Sequence, residues 1–250
     1  MDVDRTGRTI FLTEQLYLLS LGVGWRCGVD TRMPNINAIV FDLDGTLIHS
    51  APDLQLASNE ALGAIGRAPL DLPTIISFIG DGVEALVRRI LDVTGGSDEM
   101  LRQQVLAHFL DVYAQNATTH TRPYAGVFEA LEQFRANGIR LAVCTNKPTR
   151  PAREICDKLA LAQYFEVILG AEPGQPKKPD PAPLLTCVAA LECSPESALY
   201  VGDSAIDFQT ARNASVPFLL FAGGYLNTAL PDLSDADRFG NWAMHGIPAS

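Results

Sequence analysis

The sequence predicts an α/β protein, a doubly wound parallel sheet with an all-helical block inserted after its first strand. Short, nearly continuous apolar runs recur at residues 36–41, 141–144, 165–169, 198–201 and 217–221. Runs of that length and composition suit strands buried on both faces, as in a parallel sheet. Helical periodicity separates most of them: Val127, Ala130, Leu131 and Phe134 keep the i, i+3, i+4, i+7 spacing, and Gly138 supplies a stop. Strand and helix in alternation give the doubly wound arrangement.

The first strand, 36–41, reads Ile-Asn-Ala-Ile-Val-Phe, and the alternation then breaks. Residues 50–120 hold no convincing strand but three amphipathic helical stretches. Leu54, Ala57, Ala61, Leu62 and Ile65 mark one; Val83, Leu86, Val87 and Ile90 a second; Leu101, Val105, Phe109 and Val112 a third. A block of about seventy residues is too long for a connection and reads as an inserted subdomain. Because ligands in open α/β sheets sit at the carboxyl ends of the strands, an insertion that begins there covers whatever binds. The expected division is an N-terminal extension outside the fold (1–32), a core (33–50 and 121–250) and a helical cap (51–120). Met33 directly precedes the first strand, and the tail from Leu226 loses periodicity and reads as loop with at most one short helix.

Composition narrows the function classes. With 47% hydrophobic and 19% charged residues the chain falls among ordinary globular proteins and not among disordered ones. A net charge of −10 repels phosphate backbones, so neither nucleic acid nor an anionic membrane is expected as a partner. A small anionic substrate remains compatible, provided that a cation and local donors neutralise it. The longest apolar candidate, residues 16–25, is interrupted by Ser20 and glycines and falls short of the roughly 18 residues a span requires. Its leader carries Asp2, Asp4 and Glu14, and no A-x-A site follows, which disfavours a secretory signal. Cys27, Cys144, Cys156, Cys187 and Cys193 are scattered and odd in number, the pattern of reduced thiols in a cytoplasmic protein.

Four motifs carry chemistry. Phe41-Asp42-Leu43-Asp44-Gly45-Thr46 sets two carboxylates at the tip of the first strand, and Gly45 lets the chain turn so that Asp44 swings above it. Crowded acids are tolerable around a divalent cation, and Mg²⁺ takes one or two carboxylates plus phosphate oxygens. Taken alone, Asp-Gly is an ordinary turn signal. Tyr200-Val201-Gly202-Asp203-Ser204-Ala205-Ile206-Asp207 sets a second acidic pair at another strand end. A helix N-cap would account for one of these acids but hardly for both. Cys144-Thr145-Asn146-Lys147-Pro148 ends a third strand with a hydroxyl, an amide and a helix start, a ready anion site. Lys177-Lys178-Pro179-Asp180-Pro181 puts a cation at the same sheet edge.

Together these motifs resemble the haloacid dehalogenase (HAD) phosphatase superfamily, all four in order between residues 41 and 207. The resemblance implies a Rossmann-like core with a C1-type helical cap. It implies Asp42 as nucleophile, Asp44 as general acid and base, and Thr145 with the Asn146 amide on the transferring phosphoryl group. Lys178 would stabilise nucleophile and phosphate; the Asp42 carboxylate, the Asp44 carbonyl and Asp203 would hold Mg²⁺, with Asp207 in support. The substrate implied is a small phosphorylated metabolite, and the enzyme a monomer or homodimer.

Within the superfamily, Phe78-Ile79-Gly80-Asp81-Gly82-Val83, Thr119-His120-Thr121-Arg122-Pro123-Tyr124 and the Thr145 and Lys177 motifs are similar to phosphoglycolate phosphatases. Mg²⁺-dependent hydrolysis of 2-phosphoglycolate is therefore the first expectation. Gly80 and Gly82 would free backbone amides at a helix start as a cradle for the substrate carboxylate, though such a turn also serves simply to begin a helix. Asp81 adds negative charge beside an anionic substrate, and Ser215 stands where the family often has glycine. Another small-metabolite phosphatase or phosphomutase, acting on a sugar phosphate or pyrophosphate, is the alternative. A haloacid dehalogenase would lack Asp44, and a phosphonatase would need a cap lysine, absent between Ser50 and Thr119. A non-enzymatic phosphate- or Mg²⁺-binding scaffold would be expected to have lost Asp42, Asp44 or Lys178.

Overall fold

The computed structural model describes residues 36–244; the N-terminal segment 1–32, with its Trp25 and Cys27, lies outside the described residues. Six strands, β1 (Ala38–Phe41), β4 (Arg140–Pro148), β5 (Val167–Ala171), β6 (Ala198–Gly202), β7 (Phe218–Phe221) and β8 (Arg238–Phe239), form one parallel sheet in the order β5-β4-β1-β6-β7-β8. The apolar run of β1 is needed because both its faces are covered: all four of its residues are fully buried. Ala38 and Val40 face a cluster with Leu184, Cys187, Val188, Tyr200 and Ala211, drawn partly from α7 (Ala182–Ala190) and α8 (Ala205–Ala214). On Phe41 the rings of Phe134, from α5 (Val127–Ala136), and Trp242 close in with centroids 6.3 and 5.9 Å away. Burying a side chain of that size contributes about 1.5–3 kcal/mol.

β8 lies in the tail that the sequence leaves as loop. It pairs with β7, and Trp242 beyond it is buried, its indole N–H donating to the Thr46 carbonyl at 3.0 Å. Two residues of strand are too few for alternation to register, so pattern reading passes over them.

Between β2 (Ile48–His49) and β3 (Arg122–Pro123), which pair antiparallel as a neck, the chain forms four helices. These are α1 (Ala51–Gly63), α2 (Leu72–Ile76), α3 (Val83–Val93) and α4 (Glu99–Asn116). Asp53 at the start of α1 is fully buried and binds the returning strand, accepting from the His120 and Thr121 amides and the Thr121 hydroxyl at 2.7–3.0 Å. His49 ends in this neck too, its Nδ1 2.9 Å from the Tyr225 hydroxyl.

Ser215 takes a left-handed turn without being glycine. Helix α8 ends with Ser215 at φ 55°, left-handed, and the Val216 amide closes back on the Ala211 carbonyl at 3.0 Å. A left-handed L-residue costs about 1–2 kcal/mol, partly offset by the greater unfolded-state freedom of glycine. Ser215→Gly should therefore raise stability by roughly 0.5–1 kcal/mol in urea unfolding; a loss of stability would contradict the strain argument.

Candidate active site

Strand register decides what meets at the sheet edge. Phe41 lies opposite Val143 on one side and Val201 on the other, so the three strands end nearly level. Asp42, Thr145 and Asp203 therefore emerge together, at the point where the strand order reverses about β1. Gly45 makes the turn possible: its φ is +90°, and a Cβ there would collide with the Asp203 carboxylate and the Tyr225 ring.

The buried charges form one connected group. Lys178 is 4% exposed and donates to Asp42 at 2.7 Å, to Asp207 at 2.6 Å and to the Tyr200 hydroxyl at 2.9 Å. Burial alone would lower the Lys178 pKa, but the Asp207 and Asp42 carboxylates outweigh it and hold the ammonium above the usual lysine range. Burial pushes the Asp42 carboxyl up to about 6 against the pull of Lys178, with Asp207 and Asp44 adding to the rise. Asp203 is driven well up by burial and by the Asp207 and Asp42 charges, although the Tyr225 amide and the Thr46 hydroxyl donate to it.

One oxygen from each of Asp42, Asp203 and Asp207 lies within 4.8 Å of the others. Three buried carboxylates beside one buried ammonium leave surplus negative charge on hard oxygen donors, which fits a divalent cation. Asp207 is only partly free for that duty. Its Oδ1 accepts from Lys178 and Tyr200, and its Oδ2 from the Ser204 amide and hydroxyl, completing a capping box at the start of α8. The N-cap accounting is thus met by Ser204, with Asp207 reciprocating.

This electrostatics has a measurable sign. Because the folded pKa of Asp42 is raised from 3.8 to about 6, the cation-free protein should lose stability as pH climbs through that window. A divalent cation at a hundred times its Kd should restore about 2.7 kcal/mol. That gain should be larger at pH 7 than at pH 5, where protons compete, and Asp203→Asn should remove it. Melting curves with cation and with chelator at the two pH values test this; equal curves at pH 7 would contradict it.

Other residues fall on the same site. Asp44 is held by Lys147, whose Nζ lies 3.1 and 3.0 Å from its two oxygens. The Asp44 carboxylate thus points to the lysine while Asp42, Asp203 and Asp207 make up the acid cluster. A cleft between the sheet edge and the helical insertion is lined by Asp42, Asp44, Thr145, Asn146, Lys147, Gly80 and Gly82. The Asn146 side-chain amide donates to the Gly80 and Lys178 carbonyls, both at 3.0 Å, and its Oδ1 accepts from the Lys178 amide. It splices the two loops to β4. Gly82, at φ +90°, starts α3 so close that a Cβ would stand 3.1 Å from the Asn146 carbonyl oxygen. The charge of Asp81 is answered by Arg89, which pairs with it directly.

Three participants escaped sequence reading: Tyr200, Tyr113 and the full role of Lys147. Tyr200 is the one polar side chain in an otherwise aliphatic β6, and that is its sequence signal. Tyr113 sits at the end of the buried stripe Val105–Phe109–Tyr113 on α4 and accepts from Lys147 at 2.8 Å.

The family model for haloacid dehalogenase-like hydrolases matches residues 39–221. The chain belongs to that family. A phosphoglycolate phosphatase of Cereibacter sphaeroides is 43% identical over 196 residues, covering 78% of this chain and 89% of that protein. One from Rhodobacter capsulatus is 39% identical over 212 residues, 84% of this chain and 95% of the relative. Among solved structures, a predicted phosphoglycolate phosphatase from Haemophilus somnus superposes with a TM-score of 0.79 at 30% identity, covering 84% and 96% of the two chains. The α/β fold and phosphatase class expected from the motifs stand on these likenesses. Among the described residues no helix is long and apolar enough to cross a membrane.

Proposed function

We propose that this HAD hydrolase converts 2-phosphoglycolate to glycolate and phosphate with Mg²⁺. What carries the reading is Asp42, held by buried Lys178 at the strand-order reversal beneath a cleft, in a chain similar to phosphoglycolate phosphatases. Asp42 attacks phosphorus and the bond to the glycolate oxygen breaks, giving an aspartyl-phosphate. Asp44 protonates the departing alkoxide, then takes a proton from the water that attacks the intermediate and frees Asp42. Thr145 and the backbone at Asn146 hold the phosphoryl oxygens, the Asn146 side chain being engaged by Gly80 and Lys178. Lys178 keeps Asp42 oriented and offsets developing charge. The Asp42 and Asp203 carboxylates and the Asp44 carbonyl, with Asp207 in support, would hold Mg²⁺, which would supply charge neutralisation and orientation of the phosphate.

Residues 51–120 act in this reading as a cap that excludes bulk water, over a core of 33–50 and 121–250. The enzyme works in the cytoplasm as a monomer or homodimer, without nucleic-acid or membrane partners, in keeping with its net charge of −10. Phosphate release from 2-phosphoglycolate, β-glucose 1-phosphate and an aryl phosphate, with and without Mg²⁺, tests it. A strong Mg²⁺-dependent preference for the first is expected. Preference for the sugar phosphate would make the protein a hexose-phosphate enzyme, and no activity would leave a scaffold.

A further inference from the structure

The cleft has to receive two anions, and its walls treat them differently. Below, the sheet edge offers Thr145 and Asp42, the latter bonded to buried Lys178. Above, the insertion contributes Leu54, Ile79, Val83, Leu86, Phe109 and Leu110, all apolar. At the Gly80–Gly82 turn the nearby cations are already engaged, Arg89 by the Asp81 carboxylate and Lys177 by the Asp81 carbonyl, so a full carboxylate charge there would be balanced chiefly by neutral amides, at a high desolvation cost. Lys147 is the one cationic side chain among the described residues lining the cleft.

We propose that the Lys147 ammonium, with the Tyr113 hydroxyl, is the seat of the substrate carboxylate and determines selection of carboxylated phosphomonoesters; this rests on the reading just given. Lys147 is 7% exposed and has three N–H donors. Its three neighbours are the two Asp44 oxygens, at 3.1 and 3.0 Å, and the Tyr113 hydroxyl at 2.8 Å, so a substrate carboxylate would share the ammonium with Asp44. The Tyr113 oxygen accepts from Lys147, so its own O–H is available to donate. Burial pushes the Tyr113 pKa up to about 12, against the pull of Lys147, and keeps that proton in place.

Reach agrees with this seat. Asp44, the group that serves the ester oxygen, is one hydrogen bond from Lys147. In 2-phosphoglycolate the carboxylate carbon is two bonds from that same oxygen. A substrate whose ester oxygen meets Asp44 therefore brings its carboxylate to Lys147, whereas a neutral group of equal length gains no ion pair there. The lysine is in place before substrate arrives because Tyr113, from the insertion, and Asp44, from the sheet edge, hold it from both sides.

The test is a ratio: kcat/KM for 2-phosphoglycolate over kcat/KM for 2-hydroxyethyl phosphate, which replaces the carboxylate with a hydroxymethyl group. Wild type should favour the carboxylated ester. Lys147→Met should lower the ratio roughly 10- to 100-fold, the range for a charge-assisted hydrogen bond. Lys147→Arg should restore part of it, and Tyr113→Phe should lower it about 2- to 10-fold. Both rates falling together, with the ratio intact, would assign Lys147 only to holding Asp44 and overturn the inference. If Lys147→Met turns over neither ester, calorimetric Kd values for the two in an Asp42→Asn background, with and without Lys147→Met, give the same ratio. A wild-type ratio near one would sink the substrate reading and this inference with it; a high ratio that Lys147→Met leaves untouched would sink the inference alone.

Discussion

Replacing Asp42 with asparagine is expected to end turnover and leave the fold standing. An amide oxygen cannot form the aspartyl-phosphate, so kcat/KM should fall about 10,000-fold or more, the scale on which removal of a covalent nucleophile is felt. Stability should not follow. Burial lifts the Asp42 pKa to about 6, so at neutral pH the folded state bears the charge at a cost that the unfolded chain does not. Asparagine removes that charge while its carbonyl can still accept from Lys178, which keeps Asp207 at 2.6 Å as an ionic partner. The variant should melt at or above the wild-type temperature while being inactive. Rapid quenching of wild type with borohydride, which reduces an acyl phosphate to the alcohol, should mark Asp42 as homoserine. More than about one per cent residual turnover in the variant would sink the nucleophile assignment, since Asp44, the other carboxylate at that strand tip, is held on both oxygens by Lys147.

The strand tips were legible in the sequence because buried parallel strands announce themselves by composition and their carboxyl ends by turn chemistry. Asp42, Thr145 and Asp203 each follow such a run, and β-ladder register then brings them level. The helical insertion was legible for a similar reason, as a stretch where one periodicity replaces another. What stayed hidden depends on contacts across the chain. The third helical stripe read as Leu101, Val105, Phe109 and Val112, yet the residue that turns inward at its end is Tyr113, whose hydroxyl meets Lys147 from 34 positions away. Lys147 looks like a helix-start lysine in sequence; only the fold places it between Asp44 and Tyr113. Asp207 shows the reverse. Its spacing from Ser204 is a capping-box signature, but no spacing rule says that its other oxygen steadies Lys178.

Lys178→Met should be the most damaging single change to the fold among the site residues, and its damage should depend on pH. The ammonium stands between Asp42 and Asp207, both buried, and with Tyr200 it completes their hydrogen bonding. Breaking a buried ion pair by deleting one partner costs about 3–5 kcal/mol, because a charge is left uncompensated in a medium that cannot solvate it. Here two carboxylates are left. Lys178 is also the chief influence restraining the rise of the Asp42 pKa, so without it that pKa climbs beyond about 6. A carboxyl whose folded pKa lies above its unfolded value loses stability as pH rises through the interval between them. The deficit against wild type should therefore be larger at pH 7 than at pH 5, where protons take over part of the neutralising duty. Urea unfolding at the two pH values measures it, and a pH-independent cost below about 1 kcal/mol would mean that the ion pairs contribute little to holding the site together. A divalent cation should recover part of the stability at pH 7, since it brings positive charge to the same oxygens. It should not recover activity, because it does not replace the donor that keeps Asp42 aimed along the line of attack.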